Sequence, residues 1–92
     1  MFASEAFYAG NNFKKSNTEV FNDNGVIELY LFGNLIAKML KDVLLISTAG
    51  WNTVTTRERL NSLKGVSVST KKGVLYLNGK EWDGDWVQVE TA

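Results

Sequence analysis

The carboxylate side chains of Glu81, Asp83 and Asp85 lie close together in the segment KEWDGDW. Closely spaced carboxylates in a loop are typical ligands of Mg²⁺ and Ca²⁺, so this segment indicates either a metal site or a carboxylate-dependent metal enzyme. The competing interpretation is a simple turn, because Asp-Gly is a favoured turn dipeptide. We favour the turn, since an EF-hand loop requires further acids at fixed offsets that this segment lacks. We therefore expect no bound metal.

Histidine and cysteine are both absent from the chain. Their absence excludes disulfides, thiol nucleophiles, thiolate zinc sites and every triad or metal site that requires imidazole. The sequence also contains neither of the glycine-rich patterns that bind nucleotide phosphates. We expect a non-enzymatic protein that carries no cofactor and has no catalytic residues.

The cationic side chains concentrate in residues 57–72, where Glu58 is the only acid. On a helix, Arg57, Asn61 and Lys64 would share one polar sector, with Arg59 on the other flank of the apolar positions. Such a cluster can bind phosphate, carboxylate or an acidic loop of a partner. With the neighbouring tryptophan and the following hairpin, the candidate binding residues are Trp51, Arg57, Arg59, Asn61, Lys64, Lys71 and Lys72. The competing interpretation is that these are ordinary exposed positions and that Trp51 belongs to the core.

A short helix near residues 56–64 is expected to position most of these side chains. Thr55 and Glu58 have the spacing of a capping box, and Gly65 fits the left-handed residue that follows a helix. Leu60 and Leu63 are its only apolar residues, so the helix would lie on a sheet with most of its surface exposed.

Short apolar segments separated by glycine and asparagine make up the rest of the chain, which contains no proline. This pattern is typical of antiparallel strands joined by tight turns, and Asn78-Gly79 is its strongest hairpin signal. We predict an α+β fold: a small antiparallel twisted sheet of about six short strands with one short helix near residues 56–64. The whole chain, residues 1–92, is expected to form a single domain.

Two segments leave alternatives open. Gly33-Asn34 predicts a two-residue hairpin turn, after which residues 34–45 are expected to form strands. The same residues also fit a helix, because several of them are good helix formers. Residues 1–18 fit either a short helical turn from Ser4 to Ala9 or a partly ordered arm.

Composition and net charge indicate which classes of partner this protein is expected to bind. The apolar fraction of 45% is typical of a globular protein, and the formal net charge is zero. A neutral chain is unlike general polyanion binders. No apolar segment has the length of a membrane span and no secretory signal is recognisable, so we expect a cytoplasmic protein that does not bind membranes. Self-association through an exposed strand edge is compatible with this sequence.

Several phrases of the sequence are familiar in this order. They are SNTEV at 16–20, LFGNLIAK at 31–38, AGWNTVTTRERLN at 49–61 and YLNGKEWDG at 76–84. Together they resemble a group of small uncharacterised proteins of tailed bacteriophages, and the central phrase is the most specific. The resemblance covers about residues 7 to 84 and implies action in the cytoplasm of a bacterial host. It implies no catalytic residues.

Taken together, these features favour a phage accessory protein that binds a host or phage protein, for host takeover or counter-defence. The alternative is a nucleic-acid-binding module that uses the basic helix and the following hairpin. A metal enzyme centred on the carboxylates is the third hypothesis.

Overall fold

In the computed structural model, which describes residues 3–89, the main feature is a six-stranded antiparallel sheet. Its strands are β1 (Phe13–Lys15), β2 (Thr18–Asp23), β3 (Val26–Leu31), β4 (Asn34–Leu40), β5 (Val43–Ile46) and β9 (Val87–Val89). The first five follow one another in sequence order, and β9 returns from the end of the chain to pair with β5. A smaller antiparallel sheet contains β6 (Val68–Lys71), β7 (Val74–Leu77) and β8 (Lys80–Glu81). The antiparallel α+β class is therefore confirmed, although the described strands number nine in two sheets rather than about six in one.

Residues 34–45 form strands, which is the alternative that we favoured over a helix. Backbone pairing on both sides of β4 holds this segment in the sheet. β4 pairs with β3 on one side and with β5 on the other. The register with β3 shifts so that Leu29 faces Ala37 while Tyr30 faces Leu35, which leaves Ile36 as an extra residue. As a result, consecutive residues Ile36 and Ala37 are both buried, although a regular strand would turn them to opposite faces.

The turn between β3 and β4 was predicted one residue too late. Asn34 already pairs with Leu31, and the two turn residues are Phe32 and Gly33. Their φ angles are 50° and 78°, the combination that a type I′ hairpin turn requires. The pairing register fixes the turn here, and it places an aromatic residue where asparagine, aspartate or glycine is preferred.

The predicted helix exists, but it is α2 (Val54–Asn61) and its N-cap is Thr53. The Thr53 hydroxyl accepts a hydrogen bond from the backbone N–H of Thr56 at 3.2 Å. The predicted capping box at Thr55 and Glu58 was therefore wrong. Thr55 and Thr56 both lie inside the helix, and Thr56 is buried.

The core joins both sheets and both helices. The first helix, α1 (Ala3–Ala9), contributes the buried residues Ala6 and Phe7, so the described part of the first eighteen residues includes an ordered helix. Leu60 and Leu63 are also buried, as their spacing predicted. The cluster unites α1, α2, the larger sheet and the β6–β7 hairpin. Neither helix within residues 3–89 is long and apolar enough to cross a membrane.

Candidate functional site

Helix α2 does not present its polar residues as one cluster. Arg57 extends back towards the segment before the helix, where Nη1 donates to Asn52 Oδ1 at 2.7 Å and to the Asn52 carbonyl at 3.4 Å. Lys64 lies beyond the end of the helix, and its Nζ lies 5.2 Å from the ring centroid of Tyr8 in α1. Two of the three side chains predicted to share a sector thus have neighbours in different elements.

The third, Asn61, forms part of the fold. Its Nδ2 donates to the Val68 carbonyl at 3.0 Å, and its Oδ1 accepts from the Val68 backbone N–H. This amide therefore pairs with the first residue of β6 as a neighbouring strand would. Asn78 repeats the arrangement at the next hairpin, where it accepts from Ser67 N–H and donates to the Gly65 carbonyl. Both amides join the smaller sheet to the end of α2.

Lys71 and Lys72 lie at the tip of the β6–β7 hairpin. Both are exposed, and Lys72 is the first turn residue, with a φ of 53°. The predicted candidate residues therefore lie along α2, beyond its end and on a separate hairpin.

Two surface clefts follow one another along one flank of α2. Thr55 lines the first cleft and Arg59 lines the second, and residues four apart share a helix face. The β3–β4 turn and the β1–β2 turn meet between the clefts, where the Phe32 backbone N–H donates to the Asn17 carbonyl at 2.7 Å.

The first of these, which we call the apolar cleft, has a volume of about 400 Å³. Apolar side chains form part of its lining: Leu31, Phe32, Ile36 and Trp51. Uncharged polar residues complete it: Asn34, Thr48, Thr53, Thr55 and Thr56. Phe32 is 69% exposed and Trp51 is 58% exposed, so two aromatic side chains project into solvent beside a buried apolar floor. The competing interpretation, that Trp51 belongs to the core, is therefore wrong.

The second, the cationic cleft, has a volume of about 440 Å³ and combines parts of α1, β1, β2 and α2. Its charged lining residues are Lys15 and Arg59. Arg59 Nε donates to the hydroxyl of Thr18 at 3.0 Å, and that hydroxyl donates to Asn17 Oδ1 at 2.8 Å. Thr18 is only 4% exposed, so a buried residue of the sheet fixes the orientation of the guanidinium.

The carboxylate segment builds a turn. Asp83 Oδ1 accepts from Asp85 N–H at 3.0 Å, and Asp85 Oδ1 accepts from Trp86 N–H at 2.8 Å. The Gly84 carbonyl accepts from Thr48 N–H at 2.9 Å, which ties the turn to the end of β5. Within the described part of the chain, no group of acidic residues could hold a metal ion.

Two tyrosines have raised pKa values, and neither lines the apolar cleft or the cationic cleft. Burial raises the pKa of Tyr8, although the hydrogen bond from Lys64 N–H to its oxygen partly offsets this. Desolvation raises the pKa of Tyr30, and the nearby carboxylate of Glu28 adds to the effect. Proton transfer at neutral pH is not a role for either group.

Sequence reasoning singled out only Trp51 and Arg59 among the residues lining the two clefts, and the most important ones that it missed are Phe32, Lys15 and Thr18. For Phe32 the sequence contained a signal, because phenylalanine is not a preferred residue in a hairpin turn and it stands directly before the turn glycine. For Lys15 and Thr18 there was none, since β1 and β2 come close to α2 only through the tertiary fold.

These features define a small antiparallel α+β protein with two ligand-sized surface clefts beside one helix. The sequence model described as Kyanoviridae Gp96 protein matches residues 2–91, nearly the whole chain. The chain therefore belongs to this phage protein family, whose function is unknown. The predicted relationship to small phage proteins is confirmed. Comparisons with curated proteins and with solved structures gave no match.

Proposed function

We propose that this protein is a non-enzymatic phage accessory protein that binds a host or phage protein in the bacterial cytoplasm, with a role in host takeover or counter-defence. One observation carries the proposal: Phe32 and Trp51 are exposed together at the apolar cleft. Tryptophan is enriched among the residues that dominate binding energy, and aromatic side chains in general are enriched at protein interfaces.

The turn that carries Phe32 supports the same interpretation. The φ of Phe32, 50°, lies in the left-handed region, which costs a residue other than glycine about 1–3 kcal/mol. Six other non-glycine residues of the described chain share this conformation, but Phe32 is the one among them with a large apolar side chain. Folding gains little from Phe32, because its ring is mostly exposed.

The occupant we propose for the apolar cleft is a partner segment with one apolar anchor side chain followed or preceded by an acidic residue. The anchor fits because, in the part of the chain that the structure describes, no charged side chain lines this cleft. The acid fits Arg57, whose guanidinium is held by Asn52 beside Trp51 and has no carboxylate partner within residues 3–89. Arginine binds carboxylates through two parallel hydrogen bonds, and one edge of this guanidinium is still available.

The alternative, nucleic-acid binding through Arg57, Arg59, Lys64, Lys71 and Lys72, has less support. A nucleic-acid surface requires cations that follow the phosphate backbone. Here Arg57, Arg59 and Lys64 have neighbours in three different elements. A gel shift at low salt tests this alternative directly, and an Arg57→Ala, Arg59→Ala double variant should abolish any shift that uses the helix.

The proposal is tested by retrieval of partners with tagged protein from infected and uninfected host lysates, with and without nuclease. The informative variants are Trp51→Ala and Phe32→Ala. The matched control is Trp86→Ala, which removes another exposed tryptophan, 42% exposed, that is not among the described residues lining the cleft. We expect a stoichiometric protein that survives nuclease and is retained by Trp86→Ala. Trp51→Ala should weaken the binding of the purified partner at least about tenfold.

Three outcomes would count against this proposal. Retention of the partner by both Trp51→Ala and Phe32→Ala would remove the apolar cleft from the interaction. Loss of the retrieved material on nuclease treatment would favour the nucleic-acid alternative. A Trp51-dependent dimer in light scattering would show that the cleft binds a second copy of this chain.

A further inference from the structure

The cationic cleft is separate from the proposed protein-binding surface and has the chemistry of an anion site. Lys15 and Arg59 line it together, and none of its lining residues within 3–89 carries a carboxylate. Arginine and lysine in one uncompensated cleft favour a ligand that carries negative charge.

The guanidinium of Arg59 is prepared for such a ligand. Its Nε is bonded to the buried hydroxyl of Thr18, which fixes the plane of the group. Within residues 3–89, neither terminal Nη group has a hydrogen-bonding partner, so this edge of the guanidinium remains available. This planar edge matches two oxygens of a phosphate or carboxylate, and a fixed side chain loses less entropy on binding.

Two further features distinguish phosphate from carboxylate. The cleft combines two cations with the hydroxyls of Ser4 and Ser16, a donor set that suits a group with two charges and several oxygens. Its volume of about 440 Å³ exceeds what a bare phosphate requires, and Phe13 provides an apolar wall for the rest of a ligand.

We propose that the cationic cleft binds the phosphate monoester group of a small organic molecule. Arg59 binds two phosphate oxygens, Lys15 neutralises the second charge, and the organic part lies against Phe13. The ligand class is a free phosphorylated metabolite rather than a nucleic-acid chain, because both cations line one cleft of about 440 Å³ instead of following a track along the surface.

The experiment is a titration of the full chain with three probes, in which binding is measured by calorimetry and by the shifts of amide NMR signals. Inorganic phosphate tests the anion group, adenosine 5′-monophosphate tests the monoester with a ring, and adenosine tests the ring alone. We expect inorganic phosphate to bind weakly, the monophosphate at least about tenfold more tightly, and adenosine not to bind. The shifted amides should belong to residues 15–18 and to the last turn of α2.

Three variants separate the cleft from general surface charge. Arg59→Gln should weaken the binding of the monophosphate at least about tenfold, and Lys15→Gln should weaken it less. Arg59→Lys keeps the charge but loses the planar edge, so it should fall between wild type and Arg59→Gln. Arg57→Gln is the matched control, because it removes the same charge from α2 outside the cleft, and it should bind like wild type.

The affinity should also rise between about pH 5 and about pH 7.5, because a phosphate monoester loses its second proton near pH 6. Equal weakening by Arg57→Gln and Arg59→Gln would overturn the proposal in favour of unspecific charge. So would tight binding of a short single-stranded oligonucleotide that lacks a terminal phosphate, which would indicate a nucleic-acid surface. If the folded protein, verified by circular dichroism, binds none of the probes at millimolar concentration, the proposal is wrong.

Discussion

The apolar cleft and the cationic cleft share a wall, since both lie against α2, but the sheet completes them differently. Beside the first turn of the helix, the bulge at Ile36 and the strained turn at Phe32 supply apolar surface. Beside the last turn, β1 and β2 supply Lys15 and the hydroxyl that orients Arg59. The helix sets the position of both clefts, and the strand ends set their chemistry.

The largest effect is expected when α2, the wall that both clefts share, is no longer packed firmly on the core, because both clefts should then be lost. Leu60 is fully buried at 0% exposure and fastens α2 to the core. We expect Leu60→Ala to lower the free energy of unfolding by about 2–5 kcal/mol, as measured by urea denaturation. Leu40→Ala removes a leucine from a partly exposed position and should cost much less. A similar loss for both variants would contradict the assignment of α2 as the shared wall.

A substitution at Gly84, behind the apolar cleft, should disrupt the apolar cleft and leave the cationic cleft intact. The Gly84 carbonyl accepts bonds from the end of β5, and a Cβ at Gly84 would lie 2.6 Å from the hydroxyl oxygen of Thr48, which lines the cleft. We expect Gly84→Ala to lower the free energy of unfolding by about 1–3 kcal/mol and to weaken partner binding while phosphate binding persists.

The control for this prediction is Gly79→Ala. Gly79 also has a positive φ, +85°, but no atom lies within 4 Å of the position that its Cβ would occupy. This variant therefore carries the backbone strain without the clash. An equal loss of stability in both variants would mean that the contact with Thr48 is relieved at no energetic cost.

A smaller change in stability is expected from removing the N-cap of α2, and it distinguishes the observed cap from the predicted one. Thr53 caps α2 and lines the apolar cleft, whereas Thr55 was predicted to be the cap. We expect Thr53→Ala to lower the free energy of unfolding by about 0.5–2 kcal/mol and Thr55→Ala to change it by less than about 0.5 kcal/mol. Chemical denaturation of both variants checks this, and the reverse order would restore the capping box at Thr55.

The smallest effect concerns the far end of α2, where Tyr8 accepts from Lys64 N–H. Burial raises the pKa of Tyr8 above its ordinary value of 10.0, so the folded state holds this proton more tightly than the unfolded state does. The stability that the protonated Tyr8 hydroxyl contributes is fully present below about pH 10, and it is lost as the pH rises through the folded-state pKa. Denaturation between about pH 8 and about pH 11 should show a weaker alkaline decline for Tyr8→Phe than for wild type.

The strands were the most predictable part of this fold. Asn78-Gly79 adopts the positive φ angles that its sequence predicted, and Leu29 and Leu31 are buried on one face as their alternation required. These features depend on residues close together in the sequence, so the local pattern contains them. The helix was predicted near residues 56–64 and lies at Val54–Asn61, and its cap was wrong because Thr53 and Thr55 both have the side chain of a good N-cap.

The candidate site was predicted only in part. Trp51 and Arg59 were singled out, and each lines a cleft, but Asn61 uses its amide to attach β6. Helical spacing alone had grouped Asn61 with Arg57 and Lys64. It could not reveal that Val68 would come within reach of the amide, because that contact depends on how the chain folds back after the helix.

By itself, the sequence determined the class of fold, the absence of imidazole and thiol chemistry, and the relationship to small phage proteins. The tertiary structure decided which side chains meet. Phe32 and Trp51 line one cleft, and Lys15 and Arg59 line the other, although the members of each pair are far apart along the chain. Local preferences act over a few residues, whereas a cleft depends on packing between segments that are distant along the chain.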